Sequence, residues 1–345
     1  MTAELQHAKQ VVLEYYDVFD AAPVDQLVDV LRKHTTDDYS WRGIHPFYEQ
    51  SGVDAVAKTF WVPLRQAFSP LQRRPDVLFA GVNTVGDGRE IWVCQMGHLL
   101  GLFDRPWLAI PPTQRMCFLR YAEFHRVEDD RIAETTLFLD VISVMQQAGQ
   151  DPLPPQTGAS HLHPGPRTHD GVLLEAQDPD EGNRTMALVD KMIDDLDVAN
   201  LAGNEAGDDR MPREALATTW HHDMLWFGPA GIGATYTIDR YQQQHQFPFR
   251  VNLTSKLFHG HIARFAEGNY AGFFGWSNLT NTPTGGFLGL PGSDVAADMR
   301  VVDIYRRDGD QLAENWVFID LLHWLYMQGL DVLARMRQLT GQEEL

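Results

Sequence analysis

A chain of 345 residues is long enough for two ordinary domains of roughly 150 residues, each burying its own core. With 47 acidic against 28 basic residues, the formal charge of −19 argues against nucleic acid or an anionic membrane as partner. Cys94 and Cys117 imply no disulfide framework, and MTAELQHAKQ has no apolar signal core, so a cytoplasmic protein is expected.

The chain opens with Val11, Val12, Tyr15, Tyr16 and Phe19 at helical spacing, and a second short helix is expected around Leu27–Leu31. Alternating, sheet-like patterns follow, with Glu128–Asp130 read as a hairpin turn and Glu134–Gly149 reading ETTLFLDVISVMQQAG. From Asp151 to Gly182 come Pro152, Pro154, Pro155, Pro164, Pro166 and Pro179 with little apolar periodicity, the pattern of an extended connector. Its triplet His161–His163 lacks the further ligands that a metal site needs. Helical spacing returns with Met186, Val189, Met192, Ile193 and Leu196, then sheet-like alternation. Arg307–Asp310 reads as the matching hairpin turn before Glu314–Gly329, ENWVFIDLLHWLYMQG.

These last two segments expose an internal duplication. Glutamate, phenylalanine, aspartate and glycine recur 180 positions apart, and Arg120, Phe124 and Arg126 face Arg300, Ile304 and Arg306 at the same offset. Upstream the offset is 185: Trp41, Gly43, Asp54, Pro63 and Arg65 match Trp226, Gly228, Asp239, Pro248 and Arg250. The expected organisation is a first repeat over 1–150, a Pro-rich linker over 151–182 and a second repeat over 183–345. Helices followed by an antiparallel meander make each repeat an α+β domain.

The order Pro111, Pro112, Thr113, then a long hairpin, then Asp140 leading a short helix that ends in Gln147 and Gly149, resembles the SnoaL-like polyketide cyclases of the nuclear transport factor two-like superfamily. Pro291, Asp320, Gln328 and Gly329 repeat it, with Gly292 for the second proline. The resemblance implies two tandem cone-shaped α+β barrels, each with N-terminal helices packed in a curved antiparallel sheet around an internal pocket. It implies no metal, while the aromatic pocket residues and the proton-transfer set described below point to a small hydrophobic molecule as partner and to no cofactor. It also implies an intramolecular pseudo-dimer, with a further homodimer left open. The cyclases of this family place a catalytic carboxylate three residues before the helix-leading aspartate and a histidine on the neighbouring strand. Those positions here hold Leu137 and Val317, and Glu123 and Asp303, so neither repeat retains that pair.

Where the repeats agree, the residues serve the fold; where they differ, chemistry is sought. Glu134 and Glu314, Asp140 and Asp320, and Arg65 and Arg250 are assigned to caps, pairs and packing, the aspartates as helix N-caps. Val301, Asp303 and Tyr305 share a strand face that the resemblance turns toward the pocket, opposite Tyr121, Glu123 and His125 in the first repeat. HGHIAR (His259–Arg264) is expected to stand where the first repeat has FAGVNT, placing His259 and His261 on one strand face, while His245 replaces Phe60.

The expected catalytic set is therefore His261, Asp303 and His245. Trp226, Arg264, Trp276, Tyr305, Asn315 and His259 are the expected substrate contacts. A second pocket in the first repeat would use Trp41, His98, Tyr121, Glu123 and His125. The two spaced histidines with Asp303 or His245 also admit a metal-binding reading, but the spacing alone is weak and none is expected. Function on this reading is a cofactor-independent acid/base enzyme of cyclase, isomerase, dehydratase or retro-aldol lyase type. It would act on a hydrophobic cyclic or carbonyl-containing molecule in the second repeat; the alternative is a non-catalytic small-molecule-binding protein.

Overall fold

A computed structural model of the chain describes residues 2–159, 163–206 and 211–341. His161 therefore lies outside the described residues, whereas the His163 Nε2 is 2.7 Å from the Gly228 carbonyl oxygen. The fold is α+β and divides into two compact units. One takes the residues up to Pro152 with Pro164–Ala176 and those from Leu330; the other takes Leu153–His163 and Gln177–Gly329. No described helix is long and apolar enough to cross a membrane.

The first unit begins with α1 (Thr2–Ala21), α2 (Leu27–His34), β1 (Thr35–Gly43), β2 (Tyr48–Ser51), α3 (Val53–Val56) and α4 (Val62–Ala67). It continues as β3 (Gln72–Val82), β4 (Ile91–Leu102), β5 (Met116–Glu128), β6 (Arg131–Leu139) and α5 (Val141–Gln147). Val11, Val12, Tyr15, Tyr16 and Phe19 are the buried stripe of α1, as their spacing dictates. The sheet order is β2-β1-β6-β5-β4-β3, and β1 joins β6 in parallel, so the sheet is not the pure antiparallel meander that the alternation suggests.

The second unit runs α6 (Pro179–Ala206), α7 (Arg213–Leu216), β7 (Trp220–Phe227), β8 (Ala234–Tyr236), α8 (Thr237–Tyr241) and α9 (Phe247–Asn252). Then come β9 (Thr254–Phe258), β10 (Ala263–Glu267), β11 (Tyr270–Phe274), β12 (Leu279–Thr282), β13 (Ala297–Met299), β14 (Val301–Asp308), β15 (Gln311–Ile319) and α10 (Leu321–Met327). The last helix, α11 (Val332–Thr340), groups with the first unit. The larger sheet, β10-β11-β14-β15-β7-β8, repeats the first unit's order, with β15 and β7 again parallel.

Shared residues account for shared structure. Asp140 and Asp320 cap α5 and α10 by accepting from the backbone N–H of Ser143 and His323. A Cβ at Gly43 would lie 2.1 Å from the Trp41 ring, and one at Gly228 would lie 2.2 Å from the Trp226 ring, so each indole folds over the glycine two residues on. In both units a π turn, Ala57–Trp61 or Gln242–Gln246, precedes Pro63 or Pro248. Proline has no N–H for the helical ladder, and the widened turn accommodates that loss.

The units differ in one systematic way. β3, β4 and β5 are continuous, but their counterparts are each broken: β9 from β10 at 259–262, β11 from β12 at 275–278, and β13 from β14 at Arg300. The breaks form a crease across the second sheet and separate a three-stranded piece, β13-β12-β9.

Candidate active site

The interior of the first unit carries a network of its own polar groups. Arg73 Nη1 donates to Glu123 Oε2 at 2.9 Å and Nε to Asp20 Oδ2 at 3.0 Å, while the guanidinium lies 3.8 Å from the centre of the Tyr16 ring. The Tyr16 hydroxyl is 3.0 Å from Glu123 and 2.8 Å from the His125 Nε2, whose Nδ1 is 2.8 Å from Thr135 Oγ1. Tyr121 donates to Gln95 at 2.5 Å. Burial alone would raise the Glu123 carboxyl, but Arg73, His125 and Tyr16 together bring it down to about 2. Glu123 is thus a fixed anion near neutral pH. Trp41 packs on Phe60 in this interior, and His98 sits apart from it in contact with Asp76 at 3.2 Å.

The same level of the second unit holds a cavity of about 530 Å³. Strand pairing shows how its lining differs from the first unit. Arg73 pairs with Leu99 and Leu99 with Leu119; in the second unit Phe258 pairs with Leu279 and Leu279 with Met299, so Phe258 takes the place of Arg73. By the same ladders Phe273 replaces Gln95 and Asp303 replaces Glu123. Val301, Tyr305 and Asn315 stand for Tyr121, His125 and Thr135. An aromatic ring in place of the guanidinium leaves the Asp303 carboxylate without the cation that Glu123 has.

Asp303 lines this cavity, and Asn315 Nδ2 donates to its Oδ1 at 3.2 Å. Burial pushes its carboxyl up to about 6, against the opposing hydrogen bonds from Asn315 and Tyr305. His245 and His261 line the same cavity, so the three expected catalytic residues meet on one space. His245 lies in the π turn and stacks on Trp226 with ring centroids 4.0 Å apart. Burial, then Arg250, brings it down to about 3, and its Nδ1 has no partner. His261 stacks on Phe273 at 4.1 Å; burial, then Arg264, lowers it to about 4. Both imidazoles are therefore neutral at physiological pH.

Other expected contacts lie elsewhere. Trp226, Tyr305 and Asn315 line the cavity, whereas His259, Arg264 and Trp276 are not among its lining residues. His259 bonds Thr280 Oγ1 at 2.6 Å on the exposed side, Arg264 is 3.4 Å from Asp190, and the Arg300 guanidinium covers the Trp276 ring at 4.1 Å. The expected register of HGHIAR on FAGVNT is corrected by the ladder, in which Phe265 stands at Phe79. His259 and His261 lie in the connector between β9 and β10, where Gly260 at φ +105° turns the chain, and they share no strand face.

Sequence reasoning passed over Trp220, Tyr241, Gln246, Phe258, Phe273 and Asn278, all of which line the cavity. Gln246 Nε2 and Asn278 Nδ2 are buried there without hydrogen-bond partners. The only sequence signal for Asn278 was its contrast with His98 at the same repeat position. Among the described residues no group of three or more His, Cys, Asp or Glu side chains is arranged to hold a metal ion.

Residues 12–135 match the family model of the SnoaL-like domain. The chain contains a SnoaL-like domain. No functionally curated protein matches it. A candidate SnoaL-like polyketide cyclase from Jannaschia sp. CCS1 is similar in structure at 22% identity, covering 44% of this chain and 95% of its own with a TM-score of 0.34. An NTF2-like protein from Burkholderia xenovorans LB400 shares 9% identity, covering 42% of this chain and 96% of its own with a TM-score of 0.32. IdmH from Streptomyces antibioticus, a candidate polyketide cyclase, shares 15%, covering 40% and 98% with a TM-score of 0.30. Within the SnoaL-like domain itself the buried charge pair of Arg73 and Glu123 stands at the strand positions that Phe258 and Asp303 hold in the second unit.

Proposed function

We propose that this protein is a cofactor-independent acid/base enzyme whose active site is the cavity of the second repeat, acting on a hydrophobic cyclic or carbonyl-containing small molecule. The observation that carries the reading is Asp303, a carboxyl at about 6 on the wall of an otherwise largely apolar cavity, with no cation in the place of Arg73. Such a group is half ionised near pH 6 and can both accept and return a proton under physiological conditions. Asn315 fixes one carboxyl oxygen. Trp226, Phe249, Phe258, Phe273, Leu279 and Met299 supply walls for a hydrophobic ring system.

On this reading Asp303 removes a proton from the carbon beside a carbonyl, the C–H electron pair becomes the C=C bond of an enolate, and the proton is later returned to the carbon skeleton. Isomerisation, cyclisation, dehydration and retro-aldol cleavage all share that first step. His245 and His261 act as neutral hydrogen-bonding groups, since their low pKa values keep them from serving as imidazolium acids at pH 7.

The test is deuterium incorporation from D₂O into a panel of enolisable cyclic ketones, followed by proton NMR. The native protein should accelerate exchange, Asp303→Asn should fall to background while remaining folded, and Glu123→Gln should keep most of the rate. Exchange that survives Asp303→Asn would remove Asp303 from the mechanism. Binding of the ketones without exchange would favour a small-molecule-binding protein.

A further inference from the structure

We propose that the side-chain amide of Asn278 is the donor that holds the substrate's carbonyl oxygen as it becomes an enolate; this rests on the acid/base reading above and gives Asp303 its electrostatic partner. Asn278 lies in the crease between β11 and β12 and is 2% exposed. Its orientation is fixed from both sides. The Val301 N–H donates to Asn278 Oδ1 at 2.7 Å, so the oxygen faces the backbone and the NH₂ group faces away. The Asn278 N–H donates to the Met299 carbonyl at 2.9 Å, and a Cβ on Gly275 would lie 2.6 Å from Asn278 Cγ, so glycine there leaves the amide its space.

The result is a buried donor, Nδ2, on the cavity wall with no protein acceptor. A ligand oxygen would supply the acceptor that this buried amide lacks. The spacing suits the reaction. Val301, which anchors Asn278, and Asp303 are alternate residues of β14 and both line the cavity, roughly 7 Å apart along the strand. A carboxylate about 3 Å from a substrate carbon and a donor about 3 Å from the adjoining carbonyl oxygen span a similar length. As Asp303 takes the proton, the charge that develops on the oxygen falls at the Asn278 amide, preorganised and shielded from water. The first repeat carries His98 at this position, in contact with Asp76.

Two probes test the assignment without a known substrate. 2-Naphthol offers an enol-like oxygen on an apolar ring system, and naphthalene is the same skeleton without it. Fluorescence titration of the native protein should show tighter binding of 2-naphthol. Asn278→Leu should cut 2-naphthol affinity at least tenfold with naphthalene affinity held within twofold, and ketone exchange should fall about 10²-fold. Asn278→Ala provides the second variant, since it removes the donor without adding an anion to which the 2-naphthol hydroxyl could donate; it should also lose 2-naphthol. Equal affinities for the two probes in the native protein, or a 2-naphthol affinity unmoved by both substitutions, would overturn the proposal. Retained 2-naphthol preference with no ketone exchange in the native protein would sink the acid/base reading alone and leave the donor assignment standing.

Discussion

Phe258 occupies in the second repeat the strand position that Arg73 occupies in the first. This exchange of a guanidinium for a phenyl ring removes from the second repeat the cation that pairs with the buried carboxylate of the first. Arg73→Phe should therefore strand Glu123 as a buried anion and destabilise the protein by about 3–5 kcal/mol. Urea denaturation reads this directly. The double variant Arg73→Phe/Glu123→Gln should recover more than half of the loss, and a double variant no more stable than the single one would show that the ion pair is not what holds this core.

The pH dependence of Asp303 has a definite sign. Its carboxyl rises from 3.8 to about 6 on folding, so the unfolded chain gives up this proton first. The favourable contribution of the protonated group is complete below about 3.8 and lost as pH rises through 6. Asp303→Asn should thus be more stable than the native protein at pH 8, by on the order of 1–3 kcal/mol, with the difference vanishing near pH 4. Denaturation midpoints at the two pH values check it. Ketone exchange, which needs the carboxylate, should rise in the native protein as pH passes through 6.

His245 has the opposite dependence. It is held neutral, with its pKa brought from 6.5 to about 3, so the unfolded state binds the proton more readily and stability falls as pH drops from 6.5 toward 3. His245→Phe, which copies Phe60, should narrow the stability difference between pH 7 and pH 4.5. An unchanged difference would place the acid sensitivity elsewhere.

Gly228→Ala and Gly43→Ala test the indole packing. Each new methyl meets a tryptophan ring at close to 2 Å and should cost about 1–3 kcal/mol. Gly228→Ala should also weaken 2-naphthol binding at least tenfold by shifting Trp226, whereas Gly43→Ala should leave it unchanged. Equal effects on binding would mean that the cavity of the second repeat is not where the probe sits.

Much of this was readable in the sequence. The duplication, the capping aspartates and the shared strand face of Val301, Asp303 and Tyr305 follow from spacing and alternation, because helix ends and strand faces are local rules; that this face turns to the pocket is what the resemblance implies. The approach of His245 to the same cavity was also legible, since it replaces a core phenylalanine. What escaped the sequence depended on register. A fixed offset carried His259 and His261 onto a continuous strand, but the second repeat breaks its strands there, and pairing is decided by partners far along the chain. Arg73 and Asn278 were hidden for the same reason: an arginine near a strand's start and an asparagine beside a tryptophan look like surface residues until the sheet folds them inward.

The crease deserves a kinetic reading. Where β3, β4 and β5 run without interruption, the strands of the second repeat break along one line, yet the amides of His259, Ile262, Gly275 and Asn278 still donate across it, to Asn278, Phe274, Val301 and Met299. These four bridging amides should therefore be protected from hydrogen exchange, as residues that hold the two sides of the crease together. The break thus turns the strands without freeing them, and it is at this turn that the second repeat presents a side-chain amide to its cavity.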